Sequence, residues 1–189
     1  MRHKIIITIS LLALVAFCFI SCSTAKRNYE EVQKLQDAAE QVMQHSFDYD
    51  VKIKSCDDVI SALKSYLQKH SDTEWGKTAQ TALMSWQSRR DALQQELTSL
   101  NEKLSKMLVE RAVVEAKKKH AFCNIESIKL EKRDTRKDGV YILVKDNYFV
   151  RMKGALLGLD IFKLNVNVSG RVSMVTKDVT VDENAIIEE

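Results

Sequence analysis

The chain has no proline and only five glycines among its 189 residues. Both residues mark tight turns and irregular loops, so their scarcity favours long helices and strands over a fold rich in ligand-binding loops. The sequence also lacks a glycine-rich phosphate-binding loop and a strand-turn-helix nucleophile motif. Its histidines do not have the spacing of metal ligands; they are His3, His45, His70 and His120. We therefore predict no catalytic residue, no metal site and no cofactor.

The sequence also lacks a strong charge imbalance. Its formal net charge is +3, which is small for 55 charged side chains made up of 29 basic and 26 acidic residues. A dedicated nucleic-acid binder concentrates positive charge, so we expect no nucleic-acid partner. An apolar fraction of 45% with 29% charged residues is typical of a globular chain. The length suggests one domain or two small ones.

The first twenty residues have the pattern of an export signal. A basic start that contains Arg2 and Lys4 is followed by the uncharged stretch Ile5 to Ile20. A membrane-spanning helix needs about 20 apolar residues, whereas the apolar region of a signal peptide is shorter. The basic end would remain on the cytoplasmic side. Removal of this leader would leave a net charge near +1, since Arg2 and Lys4 would go with it.

The end of the leader resembles the lipobox of bacterial lipoproteins. In that family a small residue precedes a cysteine that is lipidated after cleavage, and Ser21 and Cys22 match these positions. Phe19 stands where the family usually has leucine. The resemblance implies a signal peptide over 1–21, lipidation of Cys22 and attachment of the chain to a membrane of the cell envelope. Two or three acyl chains, as in this family, suffice for stable anchoring.

Ser23 follows the lipidated position. In bacteria with two membranes, a residue other than aspartate at this position implies transfer to the outer membrane, so the chain would face the periplasm. Two alternatives to the lipoprotein remain at this stage. The leader could be an uncleaved anchor, or a plain signal peptide that is cut elsewhere.

Residues 22–120 read as a helical region. Apolar residues at steps of three and four predict a first helix from Asn28 to about Phe47. Ser55, followed by two acidic residues, predicts the cap of a second helix. Ser71 and Glu74 have capping-box spacing, which predicts a third helix from near Glu74 to about His120.

The third helix carries a heptad-like seam typical of a coiled coil. Its predicted members are Leu83, Trp86, Arg90, Leu93, Leu97, Leu100, Leu104, Met107, Arg111 and Val114. The first helix, the sheet or a second copy of the chain must cover this seam. In a parallel homodimer Glu110 would face Glu115, which is repulsive, so intramolecular packing or an antiparallel partner is favoured. The oligomeric state stays open.

The second helix and the start of the third resemble a single tetratricopeptide-type helical hairpin. The matching residues are Ala62, Tyr66, Leu67, Trp75 and Ala79. Ser71 stands where that family usually has proline. A stable solenoid needs about three repeats, so a proper repeat array is excluded. A generic helical hairpin is the alternative interpretation.

Residues 121–189 read as an antiparallel β region. Alternation of apolar and polar residues, as in Leu164, Val166 and Val168, is typical of half-buried strands. We predict about four strands, with one face covered by the long helix and the other facing water. The predicted fold class is therefore α+β, with N-terminal helices, one of them very long, before a small antiparallel sheet.

Cys56 and Cys123 are the cysteines that follow Cys22. Export exposes thiols to an oxidising compartment, so a disulfide between them is possible, and its closed loop would be worth about 4 kcal/mol. Buried free thiols are the alternative. A basic stretch from Lys117 to Lys137 could face anionic head groups or form a solvated surface, since acidic residues interleave it.

These observations predict a non-enzymatic, membrane-anchored envelope lipoprotein that acts as a scaffold or protein-interaction module. We expect it to contact the membrane through its lipid and to have an envelope protein as partner. The alternative is an envelope lipoprotein that binds a lipid or small ligand between sheet and helix, as the apolar rows of the strands suggest.

Overall fold

The computed structural model describes the backbone of residues 2–154 and 161–188, and the side chains of 24–154 and 161–188. Its elements are, in order, α1 (Arg2–His45), α2 (Tyr49–His70), α3 (Glu74–Lys119), β1 (Cys123–Asp138), β2 (Tyr141–Gly154), β3 (Ile161–Ser173), β4 (Val179–Val181) and β5 (Ile186–Glu188). The predicted α+β class, with one long helix ahead of an antiparallel sheet, is confirmed. The contacts divide the chain into a helical unit, residues 1–94, and a sheet unit, residues 95–189. The helix α3 contributes to both units.

The start of α2 differs from the prediction. The helix begins at Tyr49, and Asp48 is its N-cap, with a side-chain oxygen that accepts a hydrogen bond from the Asp50 amide at 2.9 Å. Ser55 lies in the interior of the helix. The prediction of a start at Ser55 was wrong because an earlier carboxylate satisfies the free amides of the first turn.

The start of α3 at Glu74 is confirmed, but the predicted capping residue is wrong. Thr73 Oγ1 accepts a hydrogen bond from the Gly76 amide at 2.9 Å, which is the N-cap arrangement. Ser71 instead donates to the carboxylate of Asp72. Gly76 is required here because a Cβ atom on it would lie 2.3 Å from the carbonyl oxygen of His70. The end of α2 and the first turn of α3 therefore lie in close contact.

The core of the helical unit lies between α1, α2 and the first part of α3. Its buried members are Tyr29, Ala39, Cys56, Val59, Ile60, Leu63, Tyr66, Ala79, Leu83 and Trp86. Trp86 Nε1 donates to Gln36 Oε1 at 3.1 Å, and Arg90 pairs with Asp57 at 3.3 Å. These contacts place α3 beside both other helices. The first part of the seam is therefore covered within the chain.

The sheet has the strand order β1-β2-β3-β4, and β5 pairs with β3 beyond β4. All pairings are antiparallel, and Gly139 forms the β1–β2 turn at φ +58. The register of β1 against β2 shifts twice, between Ile125 and Ser127 and between Leu130 and Lys132. One face of this sheet packs on the second part of α3. Gly170 of β3 lies there against Leu104, since a Cβ on the glycine would be 2.8 Å from Leu104 Cδ1.

The residues of α3 that cover the sheet follow steps of four. They are Leu100, Leu104, Leu108, Ala112 and Ala116. The predicted seam placed Met107, Arg111 and Val114 there instead, but the first two are half-buried and Val114 is 46% exposed. This part of the prediction was wrong because the small residues Ala112 and Ala116 pack against the sheet. The heptad pattern had instead been assigned to larger side chains.

Candidate functional site: the open face of the sheet

The sheet has a second face, opposite to α3, which we call the open face. Successive side chains of a strand point to opposite sides, so the residues flanking the buried positions of β2 and β3 share this face. The pairing register places Lys132, Asn147 and Asn167 side by side across β1, β2 and β3. Asp134 and Lys145 lie in the adjacent row. Polar residues far apart in the sequence therefore meet on one surface.

These two rows line a groove, the open-face groove, of about 390 Å³. The volume lies near the lower end of the range, about 300–1,000 Å³, found for small-molecule sites. The residues that line it are Lys132, Asp134, Lys145, Asp146, Asn147, Asn167, Val168, Ser169, Asn184 and Ile186. β1, β2, β3, β5 and the segment that leads into β5 thus contribute polar and apolar groups to one concave surface.

The charged groups of the groove leave one ammonium available. Lys132 pairs with Asp134 at 2.9 Å, and both side chains are largely exposed. Ser169 donates to the Asp182 carboxylate at 2.7 Å. Among the residues that the structure describes, Lys145 has no carboxylate within ion-pair distance. A ligand that carries negative charge would therefore find an unpaired cation here.

The wider open face is also basic. Register and strand alternation place on it Lys129, Lys132, Arg136, Lys145, Arg151, Lys153, Lys163 and Arg171, against Asp134, Asp138 and Glu188. Glu126, which pairs with Arg151, and Asp182, which accepts from Ser169, add two more carboxylates, so the cations still outnumber the acids. Arg151 pairs with Glu126 at 3.0 Å, and the guanidinium of Arg171 lies over the ring of Tyr141. The potential of this face therefore favours anions.

Three asparagines, Asn147, Asn165 and Asn167, lie next to each other on β2 and β3. The Oδ1 atoms of Asn147 and Asn165 are buried and accept no hydrogen bond. Each such acceptor costs about 1–3 kcal/mol, and an unpartnered polar group in a native fold calls for an explanation.

The opposite side of the same strands carries a buried ion pair. Arg133 Nε and Nη2 donate to the two carboxylate oxygens of Asp146 at 2.8 and 2.6 Å, and the Tyr148 hydroxyl donates to Asp146 Oδ2 at 2.8 Å. Hydrogen bonding to Asp146 raises the pKa of Arg133, and burial raises the pKa of Tyr148. Both oxygens of Asp146 are occupied, so this cluster holds β1 on β2 and is not available as a general base.

A second groove, of about 420 Å³, lies between α1 and α2. Three of its polar side chains already hold the two helices together: those of Asn28 and His70 are hydrogen-bonded at 3.1 Å, and Tyr66 donates to the Ala25 carbonyl at 3.1 Å. The ring of Tyr66 also packs against His70 with centroids 4.9 Å apart. This groove therefore has a structural role in joining the two helices, and the open-face groove is the better candidate.

The structure describes the side chains of two of the three cysteine positions singled out by the sequence. Cys22 lies outside the residues whose side chains are described. Cys56 is fully buried in the helical unit and Cys123 is half-buried at the start of β1; both are free thiols. The possible disulfide between them stays a prediction. Burial raises the pKa of the Cys56 thiol.

Within 24–154 and 161–188, no group of three or more histidine, cysteine or acidic side chains could hold a metal ion. Among the described residues, no helix combines the length and apolar character that crossing a membrane requires. Comparison with known proteins gives no matching family model, no similar curated protein and no similar solved structure.

Sequence reasoning missed most of the groove. Asn165, Asn167 and Ser169 stood out only as the polar half of an alternating strand, and Lys145 and Asn147 were not singled out. One feature of the sequence could have indicated the groove. Two neighbouring strands carry asparagine, and not a charged residue, at the central positions of their solvent-facing side.

Proposed function

We propose that this protein is a non-enzymatic lipoprotein of the cell envelope, held to a membrane by lipid on Cys22. It acts as a scaffold or interaction module that offers the open face of its sheet to another envelope component, with an envelope protein as the expected partner. If the source has two membranes, the chain faces the periplasm from the outer membrane.

The observation that carries this proposal is the asymmetry of the sheet. One face is closed by Leu104 and its neighbours on α3, whereas the other holds a concave polar surface and a row of cations. An exposed, ordered face of this kind is typical of a binding surface. The Ser21-Cys22 pair behind an uncharged stretch supports the anchor.

Metabolic labelling with an alkyne fatty acid tests the anchor. We expect label on the full chain and on the Cys56→Ala and Cys123→Ala variants, because neither cysteine is at the end of the leader. Cys22→Ala should lose both the label and membrane association. Retention of both by Cys22→Ala would contradict the anchor.

Photocrosslinking in the native envelope tests the surface. A benzophenone amino acid at Phe149, an aromatic position on the open face, should give discrete adducts. The same group at Val114, which is exposed on α3 in the same unit, is the matched control and should give few. Equal adducts from both positions, or none from Phe149, would contradict a binding role for the open face.

A second candidate function is binding of a small ligand, and the open-face groove favours it. The sequence suggested a ligand between sheet and helix. At the crossing of α3 and β3, however, even a methyl group on Gly170 would meet Leu104 and the Thr180 carbonyl oxygen at 2.8 Å. A ligand is therefore better placed in the polar groove, where a volume of about 390 Å³ is open.

A further inference from the structure

We propose that the open-face groove binds an anionic carbohydrate, a sugar that carries a carboxylate or phosphate. This inference rests on the second candidate function and names its ligand class. The groove combines two chemistries that few ligand classes match at once. It has an ammonium without an acidic partner in the described residues, and it has carboxamides beside it.

The charge argument concerns Lys145. Its row neighbour Asp134 is paired with Lys132, and Asp146, which also lines the groove, is neutralised by Arg133 from the other side of the sheet. The remaining positive charge is Lys145. An anionic group placed against it forms a charge-assisted hydrogen bond, which is stronger than a neutral one.

The carboxamide argument selects among anions. The carboxamides of Asn147 and Asn167 line the groove, and a carboxamide can both donate and accept hydrogen bonds. An ionised carboxylate or phosphate group only accepts. Sugar hydroxyl groups both donate and accept, so they match both functions of the carboxamides.

The surroundings fit the apolar side of a sugar ring. Ile186 of β5 lines the groove, is largely exposed and lies beside Asn167 in the register, so it offers an apolar contact there. Ligand sites typically combine an apolar contact with a few placed polar groups. The groove volume of about 390 Å³ suits one or two sugar rings.

Titration calorimetry on the purified full chain tests the proposal with four probes. These are a galacturonic acid tetramer, the neutral maltotetraose, inorganic phosphate and a tetraglutamate peptide. We expect the uronate tetramer to bind at least about tenfold more tightly than each of the other three. The neutral sugar lacks the charge, whereas phosphate and the peptide lack the array of hydroxyl donors.

Two variants locate the binding. Lys145→Ala and Asn147→Ala should each weaken uronate binding by at least about fivefold. Lys106→Ala removes the same charge from an exposed position on α3 and should leave binding unchanged. Because Asn147→Ala removes a buried oxygen with no partner, its melting temperature should stay the same or rise while binding falls. An asparagine with only a structural role would not combine an unchanged or higher melting temperature with weaker binding.

Each of three results would overturn the proposal: no uronate binding at millimolar concentration, equal binding of tetraglutamate or maltotetraose, or equal losses in Lys106→Ala and Lys145→Ala. Fatty-acid labelling of Cys22 and crosslinking from Phe149 are measured separately. Failure of the sugar titration with those two results intact would reject the ligand class and leave the proposed function standing.

Discussion

Arg133 on β1 donates two parallel hydrogen bonds to the carboxylate of Asp146 on β2, at 2.8 and 2.6 Å. The Asp146 side chain is fully buried, whereas about a third of Arg133 remains exposed, so the guanidinium keeps contact with water while it neutralises the carboxylate. The pair lies one residue after a register shift in β1. It therefore fixes which residues of β1 face Lys145 and Asn147 on the other side of the sheet.

Arg133→Met tests the cost of leaving this carboxylate alone. The stem of the side chain is kept, but Asp146 loses two of its three donors, and we expect a loss of about 3 kcal/mol in the free energy of unfolding. Urea denaturation measures it. The double variant Arg133→Met with Asp146→Leu should recover much of the loss, since no buried charge is left. A loss below about 1 kcal/mol for Arg133→Met would contradict this role.

Gly170→Ala tests the approach of α3 to the sheet. The new Cβ would lie 2.8 Å from Leu104 Cδ1 and 2.8 Å from the Thr180 carbonyl oxygen. We expect a loss of about 2–3 kcal/mol by overpacking. The control is Gly139→Ala, where nothing lies within 4 Å and only the φ of +58 is unfavourable, so the loss should be about 1 kcal/mol. Equal melting temperatures for the two variants would refute the close approach.

Thr73→Ala and Ser71→Ala separate the true cap of α3 from the one that the sequence suggested. Thr73 Oγ1 accepts from the Gly76 amide and donates to the His70 carbonyl at 2.7 Å, so its removal should cost about 1 kcal/mol. Among the residues whose side chains are described, the Ser71 hydroxyl bonds to exposed Asp72 alone, and its removal should change stability by less than about 0.5 kcal/mol. Thermal unfolding monitored by circular dichroism compares them; a reversed order would be inconsistent with the cap at Thr73.

The stability of the folded chain should fall at alkaline pH. Burial raises the pKa of Cys56 above its ordinary value of 9.0, and it raises the pKa of Tyr148 above 10.0. The unfolded chain therefore releases these protons at lower pH than the folded chain, and stability is lost as pH rises above about 9. Tyr148→Phe should flatten the part of the slope above pH 10, and Cys56→Ala the part below it.

Urea unfolding at pH 8, 9, 10 and 11 measures this slope. Both substitutions also lower the stability at pH 8, through the lost Tyr148–Asp146 hydrogen bond and a small cavity at Cys56, so the comparison uses slopes and not absolute values. Unchanged slopes in both variants would show that other groups control the alkaline transition.

The fold followed from the sequence where hydrophobic periodicity was strong. The long α3 and the antiparallel sheet were predicted because Leu83 to Leu104 and Leu164 to Val168 repeat with the periods of helix and strand. The cap at Thr73 and the burial of Ala112 and Ala116 were missed. In these cases the decisive contact is made by a small group, a single hydroxyl or a methyl group against the sheet. Larger neighbouring residues gave a stronger hydrophobic or capping pattern in the sequence.

The open-face groove could not be predicted from local sequence patterns. Lys145 and Asn167 are 22 positions apart in the sequence, and only the register of β2 on β3 brings their rows together. Register depends on the β1–β2 turn at Gly139, on the bulges of β1 and on the buried Arg133 pair, and none of these has a strong signal in the sequence.

The two register shifts and the dense charges of β1 have a consequence for how copies of this protein meet. The outer side of this 16-residue strand is unpaired in the described sheet, and such an edge can template the addition of strands from a neighbour. Bulges spoil the regular spacing of its amide and carbonyl groups, and a neighbouring strand would have to desolvate the dense charged side chains of this edge. High local concentration should therefore leave the molecules separate, without fibrils that grow edge to edge.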